Sequence, residues 1–240
     1  MPLDATLLPP ERFLCGSVRR LYDPVPYGRE LLQSLGLCGI QFGSMNRMYR
    51  SCLNLDISTA TDGMITSAPG QMVQLEGRGY YLQQDATRPL PIADAAFDWA
   101  YSEHFLEHLS LEQAAAWLRE VRRVVRAGGV VRISTPDLKR YARAYVDGDD
   151  AFFAEHARRL AQMGIAGAPV RRAWMMNQIF RFYGHQWIYD ADEIRYLAAA
   201  CGFDAASVRE CRFREGADPA VFRFDQTLRD DESLYFELTV

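Results

Sequence analysis

Short apolar runs alternate with amphipathic stretches along most of this chain. Leu37–Phe42 (LCGIQF), Cys52–Leu55 (CLNL), Tyr80–Gln83 (YYLQ), Phe97–Tyr101 (FDWAY) and Val130–Ser134 (VVRIS) each read as a strand covered on both faces, closing at Gly43, Asp56, Asp85, Ser102 and Pro136. The helix with the clearest boundaries is 111–126. Ser110 and Gln113 form a capping box, Leu111, Ala115, Leu118 and Val125 share a face, and Gly128–Gly129 stop it. A second helix covers 191–201, capped by Asp190 and Glu193 and ended by Gly202. Between them, 138–182 carries helical stripes at Tyr141/Tyr145 and Phe152/Phe153/Leu160. Phe203–Phe213 and Ser233–Leu238 read as a closing pair of strands. The pattern predicts an α/β fold: a doubly wound, mostly parallel, seven-stranded sheet with an antiparallel terminal hairpin and a helical insertion at about 138–187. Residues 1–36, punctuated by Pro2, Pro9, Pro10, Pro24 and Pro26, read as an irregular N-terminal arm with a short helix at Tyr27–Leu35; 37–240 reads as one domain.

Composition narrows the classes. With 240 residues and 49% hydrophobic positions, the chain can bury a full core. Its net charge of −4 argues against nucleic acid as a partner. No apolar run reaches the roughly 20 residues of a membrane span, and the N-terminus lacks the basic-then-apolar order of a leader, so no membrane partner and a cytoplasmic location are expected. Of 27 basic residues only Lys139 is lysine, a bias spread over the whole chain and therefore a matter of genome composition rather than of a site. Cys15, Cys38, Cys52, Cys201 and Cys211 have no CxxC spacing and are expected to be reduced thiols. A homo-oligomer is compatible with all of this.

In open α/β sheets the ligand sits beyond the carboxyl ends of the strands. The residues there are Phe42, Gly43 and Ser44, then Asp56, then Asp85, Ala86 and Thr87, then Ser102, Glu103 and His104. A glycine at such a turn admits a ligand close to the backbone. An acid after the second strand can accept from two vicinal ribose hydroxyls, and one after the third from an adenine amine. The set fits a nucleoside ligand. No GxxxxGK[ST] loop exists, which excludes a P-loop.

These residues lie in a longer pattern. The run QQDATRPLPIADAAFDWAYSEHFLEHLS…LREVRRVVRAGGVVRISTPD, 83–137, resembles the second half of class I, Rossmann-like S-adenosylmethionine-dependent methyltransferases, in register at Asp85, Leu90–Pro91, Asp94, Phe97–Asp98, His104, Leu106–Glu107–His108, Gly128–Gly129 and Pro136. IQFGSMNRMYRSCLNLDIS, 40–58, is similar to the cofactor loop of one subgroup, and 184–203 and 229–238 to its C-terminal part. The resemblance implies S-adenosylmethionine as cofactor, held by Phe42, Gly43, Ser44, Asp56, Asp85, Ala86, Thr87, Ser102 and Glu103. It implies methyl transfer to a small-molecule or glycan acceptor, with His104 and His185 as candidate catalytic residues. One departure stands out: the second glycine of the loop is Met45, whose side chain is expected to crowd the cofactor unless the backbone there keeps a negative φ. A methyltransferase-like binding or scaffold protein is therefore the alternative. A third reading is a zinc hydrolase using His104 and His108 of the H-x-x-E-H pattern. It lacks a recognisable third ligand, and no metal is expected.

Overall fold

A computed structural model describes residues 13–45 and 47–240, with the side chains of Phe13 and Cys15 undescribed. Pro2, Pro9 and Pro10 of the expected arm, and the Cys15 thiol, lie outside the described residues. The strands are β1 (Phe13–Cys15), β2 (Val18–Tyr22), β3 (Gly39–Phe42), β4 (Cys52–Asp56), β5 (Thr59–Thr61), β6 (Met72–Leu75), β7 (Gly79–Gln83), β8 (Phe97–Glu103), β9 (Val125–Pro136), β10 (Val208–Cys211) and β11 (Ser233–Thr239). The helices are α1 (Arg29–Ser34), α2 (Leu111–Val124), α3 (Leu138–Asp147), α4 (Asp150–Gln162), α5 (Arg172–Arg181), α6 (Ala191–Ala200) and α7 (Pro219–Phe222).

The main sheet runs β10-β11-β9-β8-β3-β4-β7-β6-β2, and β1 pairs with β5 in a separate two-stranded sheet. Its middle five strands, β9, β8, β3, β4 and β7, are parallel. Antiparallel strands extend both edges: β11 and β10 on one side, β6 and β2 on the other. The expected fold class holds, with a correction: the sheet has nine strands rather than seven. Among residues expected to be irregular, Val18–Tyr22 forms the far edge strand. The order reverses at β3, with β4 and β7 on one side and β8 and β9 on the other, so the topological switch point lies between β3 and β8.

The two faces are covered unequally. Ile40, Phe42, Leu53, Leu55, Ala100 and Ile133 point into the main core, under Leu32 of α1, Trp117 and Val121 of α2 and Ile194 and Leu197 of α6. On α2 the buried stripe is Ala114, Trp117, Leu118, Val121 and Val124. Leu111 is largely exposed, so the inward face is rotated from the one the sequence suggested. The indole of Trp117 sets that rotation by packing edge-on against Phe42 and Phe105.

The opposite face carries a thinner layer. The β3–β4 crossover spans only residues 43–51 and contains no helix among its described residues, although parallel crossovers usually need a dozen or more residues. Tyr49 from this crossover stacks on Phe224, and both lie over Cys52, Trp99 and Tyr101. A Cβ at Gly39 would lie 2.2 Å from the Trp99 ring, so only glycine lets that indole lie flat on β3. Helices α3 to α5 build a separate core of Tyr141, Phe153, Leu160, Met175 and Ile179. This unit is joined to the sheet where Asp137 pairs with Tyr189. Among the described residues no helix is long and apolar enough to cross a membrane.

Candidate functional site

Register places the carboxyl ends of the parallel strands on one rim. Phe42 aligns with Leu55 and with Ser102, Asp56 with Gln83, and Glu103 with Ser134. Glu103, Gly43, Asp56 and Asp85 therefore follow one another in that order along the edge of the sheet, at the strand ends where the sequence put them.

Each residue on the rim has a local reason for its place. Gly43 adopts φ +65°, and a Cβ there would lie 2.7 Å from the Phe105 ring, so both backbone and packing demand glycine. The Ser44 amide donates to the Leu55 carbonyl at 3.1 Å, while its buried hydroxyl has no partner. Ser102 at the end of β8 and Ser134 on β9 also bury unpartnered hydroxyls. Three orphaned hydroxyls thus lie along adjacent strand ends, where buried polar groups call for a ligand or water to satisfy them.

Asp56 is almost fully buried and ties the loops on either side. Oδ2 accepts from the Met45 amide at 2.9 Å, and Oδ1 from the Ser58 amide at 3.0 Å and the Ser58 hydroxyl at 2.7 Å. A carboxylate offers about four acceptor positions, so roughly one remains for a ligand. Asp85 Oδ1 accepts from the Thr87 amide at 2.9 Å and the Thr87 hydroxyl at 2.7 Å. Burial would raise the Asp85 pKa, but these two bonds and Arg88 outweigh it and hold the carboxyl below the ordinary aspartate value. Ala86 is buried beside it. Glu103 accepts from Arg47 of the β3–β4 crossover and from the Gln226 amide at 3.0 Å.

Met45 corrects the sequence reading on its backbone. Its φ is +42°, in the left-handed region, not negative. Its side chain is 58% exposed and directed to solvent. The loop therefore keeps the conformation a glycine would favour and carries the strain of a side chain there.

A second group gathers just past β8, where a 3-10 turn, Leu106–His108, follows Phe105. Glu107 is fully buried, and Thr135 donates to its Oε2 at 3.1 Å. Its backbone carbonyl accepts from the amides of Gln186 at 2.7 Å and Trp187 at 3.2 Å, tying the end of the insertion to the strand end. Burial would raise the Glu107 pKa; the neighbouring His104, then His108 and His185, outweigh it and hold the carboxyl at about 2. Burial pushes the His108 imidazole down, against the Glu107 carboxylate.

His104 sits at φ +46° with both ring nitrogens engaged: Nε2 with the Ser233 hydroxyl at 2.7 Å, Nδ1 with Arg229 at 3.1 Å and within 3.2 Å of Glu107 Oε1. His185 lies elsewhere in the sequence but packs edge-on against His108, with centroids 4.8 Å apart. Its Nδ1 lies 2.6 Å from the Ile179 carbonyl. A carbonyl only accepts, so Nδ1 carries the proton and Nε2 is left free. The sequence paired His104 with His108; the structure pairs His108 with His185, and spacing along the chain carries no signal of that contact.

Two arginines tie helices to loops. Arg123 of α2 bonds Glu120, Asp94 and the carbonyls of Leu90 and Ile92, pinning the β7–β8 connection. Arg159 reaches Glu155, Asp231 and the Thr227 carbonyl. Asp149 caps α4 through the Phe152 amide.

Residues 35–133 match the model of a family described as a methyltransferase domain. No curated protein matches the sequence. Among solved structures, the chain is similar to an S-adenosylmethionine-dependent methyltransferase of Archaeoglobus fulgidus, at 12% identity over 88% of this chain and 90% of that one, with a TM-score of 0.44. It is also similar to one of Thermotoga maritima, at 14% identity over 84% and 80%, with a TM-score of 0.45. The matched segment spans the switch point and the Gly43, Asp56, Asp85 and Glu103 rim, and over it the chain is similar to a methyltransferase domain.

Proposed function

We propose that this protein transfers a methyl group from S-adenosylmethionine to an oxygen of a small-molecule or glycan acceptor. The observation that carries the reading is the rim itself: a left-handed glycine, two carboxylates and the orphaned hydroxyls of Ser44 and Ser102 on consecutive strand ends. Asp56 would hold the ribose and Asp85 with Ala86 and Thr87 the adenine, while Phe42, Gly43, Ser44, Ser102 and Glu103 enclose the remainder. The cofactor supplies an electrophilic sulfonium methyl, so the chain's own task is to orient the acceptor and take its proton.

His185, with Nε2 free, is the better placed of the two candidate catalytic residues. His104 is held at both nitrogens, and its role is to position Glu107 and the turn that follows β8. The 138–187 insertion, whose end is tied to Glu107, serves as the acceptor-side lid. The protein acts without nucleic acid or membrane, in the cytoplasm.

A specific observation favours the scaffold reading as second. The crossover engages two of the three rim acids, Asp56 through the Met45 amide and Glu103 through Arg47. Calorimetric titration with S-adenosylmethionine separates the two. On the enzyme reading the parent binds and Asp56→Ala loses about 1.5–3 kcal/mol. A parent that does not bind would support the scaffold, and equal affinity of the two proteins would remove Asp56 from the cofactor site.

A further inference from the structure

The residues around His185 form a donor set with the chemistry of a metal centre. Glu107, His108 and His185 each offer one ligand atom, and these atoms lie within 4.8 Å of one another. They come from two separate segments, the turn after β8 and the end of the lid. From the geometry we infer that Glu107, His108 and His185 bind one divalent transition-metal ion, with zinc the best-suited occupant. Two imidazoles and one carboxylate leave at least one coordination position open, the donor set of catalytic rather than structural zinc.

Three independent features support this. Glu107 Oε1 is fully buried and has no aligned hydrogen bond; His104 Nδ1 approaches it only at 3.2 Å. A buried carboxylate oxygen left in this way is costly unless a cation satisfies it. Next, the Nδ1–H of His185 points at the Ile179 carbonyl, which fixes the tautomer that presents Nε2 as a lone pair. Metal-bound histidines are typically oriented by such a bond from their second nitrogen. Finally, Thr135 donates to the other oxygen of Glu107, orienting the carboxylate from behind.

The present spacing needs little adjustment. Tetrahedral ligand atoms about 2.1 Å from zinc sit about 3.4 Å apart, so side-chain rotations close a gap of up to roughly 1.4 Å. His104 is not in the set, because Ser233 and Arg229 occupy its ring. The inference therefore differs from the H-x-x-E-H pairing of His104 with His108. Where the methyl-transfer reading also holds, an ion here would lower the pKa of an acceptor hydroxyl in the open position, in place of His185 acting as base. That clause rests on the proposed function; the binding site does not.

The test uses untagged, chelator-treated, full-length protein. Titration with zinc chloride, followed by metal analysis after dialysis, should give one ion per chain. Cobalt(II) should give the visible absorption of a four- or five-coordinate nitrogen and oxygen site. Glu107→Gln and His185→Ala should each weaken zinc binding by more than ~100-fold, since even outer-shell changes cost 10- to 100-fold. His104→Gln, which alters a neighbour of Glu107 but no ligand, should keep one ion per chain with affinity lowered by less than ~100-fold. Absence of stoichiometric zinc in the parent overturns the inference, as does retention of affinity in both ligand variants. If a variant fails to fold, the cobalt spectrum of the parent decides: six-coordinate aqua-like absorption refutes the site. Because no cofactor or acceptor is present, the outcome is independent of whether the protein transfers methyl groups.

Discussion

Arg132 offers a quantitative test of how the thin face of the sheet is held. It lies on β9, fully buried, and all five of its N–H groups are used. Nε and Nη2 bond Asp225 at 2.8 and 2.5 Å, Nη1 bonds Glu237 and the Glu215 carbonyl at 3.0 Å each, and Nη2 also bonds the Arg212 carbonyl at 3.0 Å. These bonds clamp the segment 212–226 onto the sheet. Replacing Arg132 with Met conserves much of the volume but takes a partner from two buried acids. Glu237 keeps Arg209 and the Ala217 amide, at 2.7 Å each, so its charge stays compensated. Asp225 keeps the Arg214 amide at 2.9 Å and a long contact from the Arg214 side chain to its carbonyl, so most of the penalty falls there. Removing one partner of a buried pair costs about 3–5 kcal/mol. At about 2–4 °C per kcal/mol for a chain of this size, Tm should fall by roughly 6–20 °C. Differential scanning calorimetry measures this directly. Arg132→Met with Asp225→Asn should recover part of the loss, because the stranded group is no longer charged. The same segment supplies the Gln226 amide to Glu103, so hydrogen exchange at Gln226 should accelerate in Arg132→Met. A single variant melting within about 2 °C of the parent, less than 1 kcal/mol, would refute the clamp.

Three further outcomes are expected. Met45→Gly relieves about 1–2 kcal/mol of left-handed strain against about 0.5–1 kcal/mol of added chain entropy, so urea denaturation should show equal or slightly greater stability; a clear loss would contradict the φ assignment. Gly39→Ala drives a Cβ into the Trp99 ring and should cost at least ~1–3 kcal/mol in the same assay, with Gly39→Ala/Trp99→Leu partly restored; full tolerance would mean the indole does not lie on β3. Burial lowers the His156 pKa, but the hydrogen bond to Asp231 and the charges of Glu232 and Asp231 outweigh it and raise it above the ordinary value. A folded-state value raised above the unfolded one stabilises fully below about pH 6.5 and fades as pH rises through the folded value. Tm of the parent should therefore fall more steeply from pH 6 upward than that of His156→Gln; parallel curves over that range would exclude the linkage.

How much was legible in the sequence follows from which forces act locally. The five strands read from apolar runs are all present, because a strand covered on both faces must be apolar throughout; of the closing pair, Ser233–Thr239 is present and Phe203–Phe213 shortens to the edge strand Val208–Cys211. The strands that were missed are those without that constraint. β2 (VRRLY) is an exposed edge with two arginines, and β6 (MVQL) with β5 (TAT) lies in a stretch rich in turn residues. Their pairing comes from their neighbours rather than from their own pattern: β6 pairs with β7, β2 with β6 and β5 with β1. The absence of a helix between β3 and β4 was implicit in the nine residues available, but the cover that replaces it was not. Tyr49 and Phe224 stand 175 positions apart and meet only through the fold.

The rim and the acceptor side differ in the same way. The positions of Gly43, Asp56, Asp85 and Glu103 could be read because a strand end fixes its next residue on the rim whatever the rest of the chain does. Their current partners could not. That Met45 and Arg47 reach the two acids depends on how a short crossover bends, which its composition leaves open. The histidines carry the point further. An i, i+4 pair shares a helical face only if the segment is helical through both positions, and here His104 precedes a single 3-10 turn at φ +46°. That one left-handed residue turns His104 back toward Ser233 and Arg229 and separates it from His108. His108 is then left facing His185, which the end of the helical insertion delivers through the hydrogen bonds of Gln186 and Trp187 to the Glu107 carbonyl. The placing of the histidine pair is therefore set by the attachment of the segment 186–187. A change at Gln186 or Trp187 that loosens the attachment should disturb the histidine pair without touching either ring.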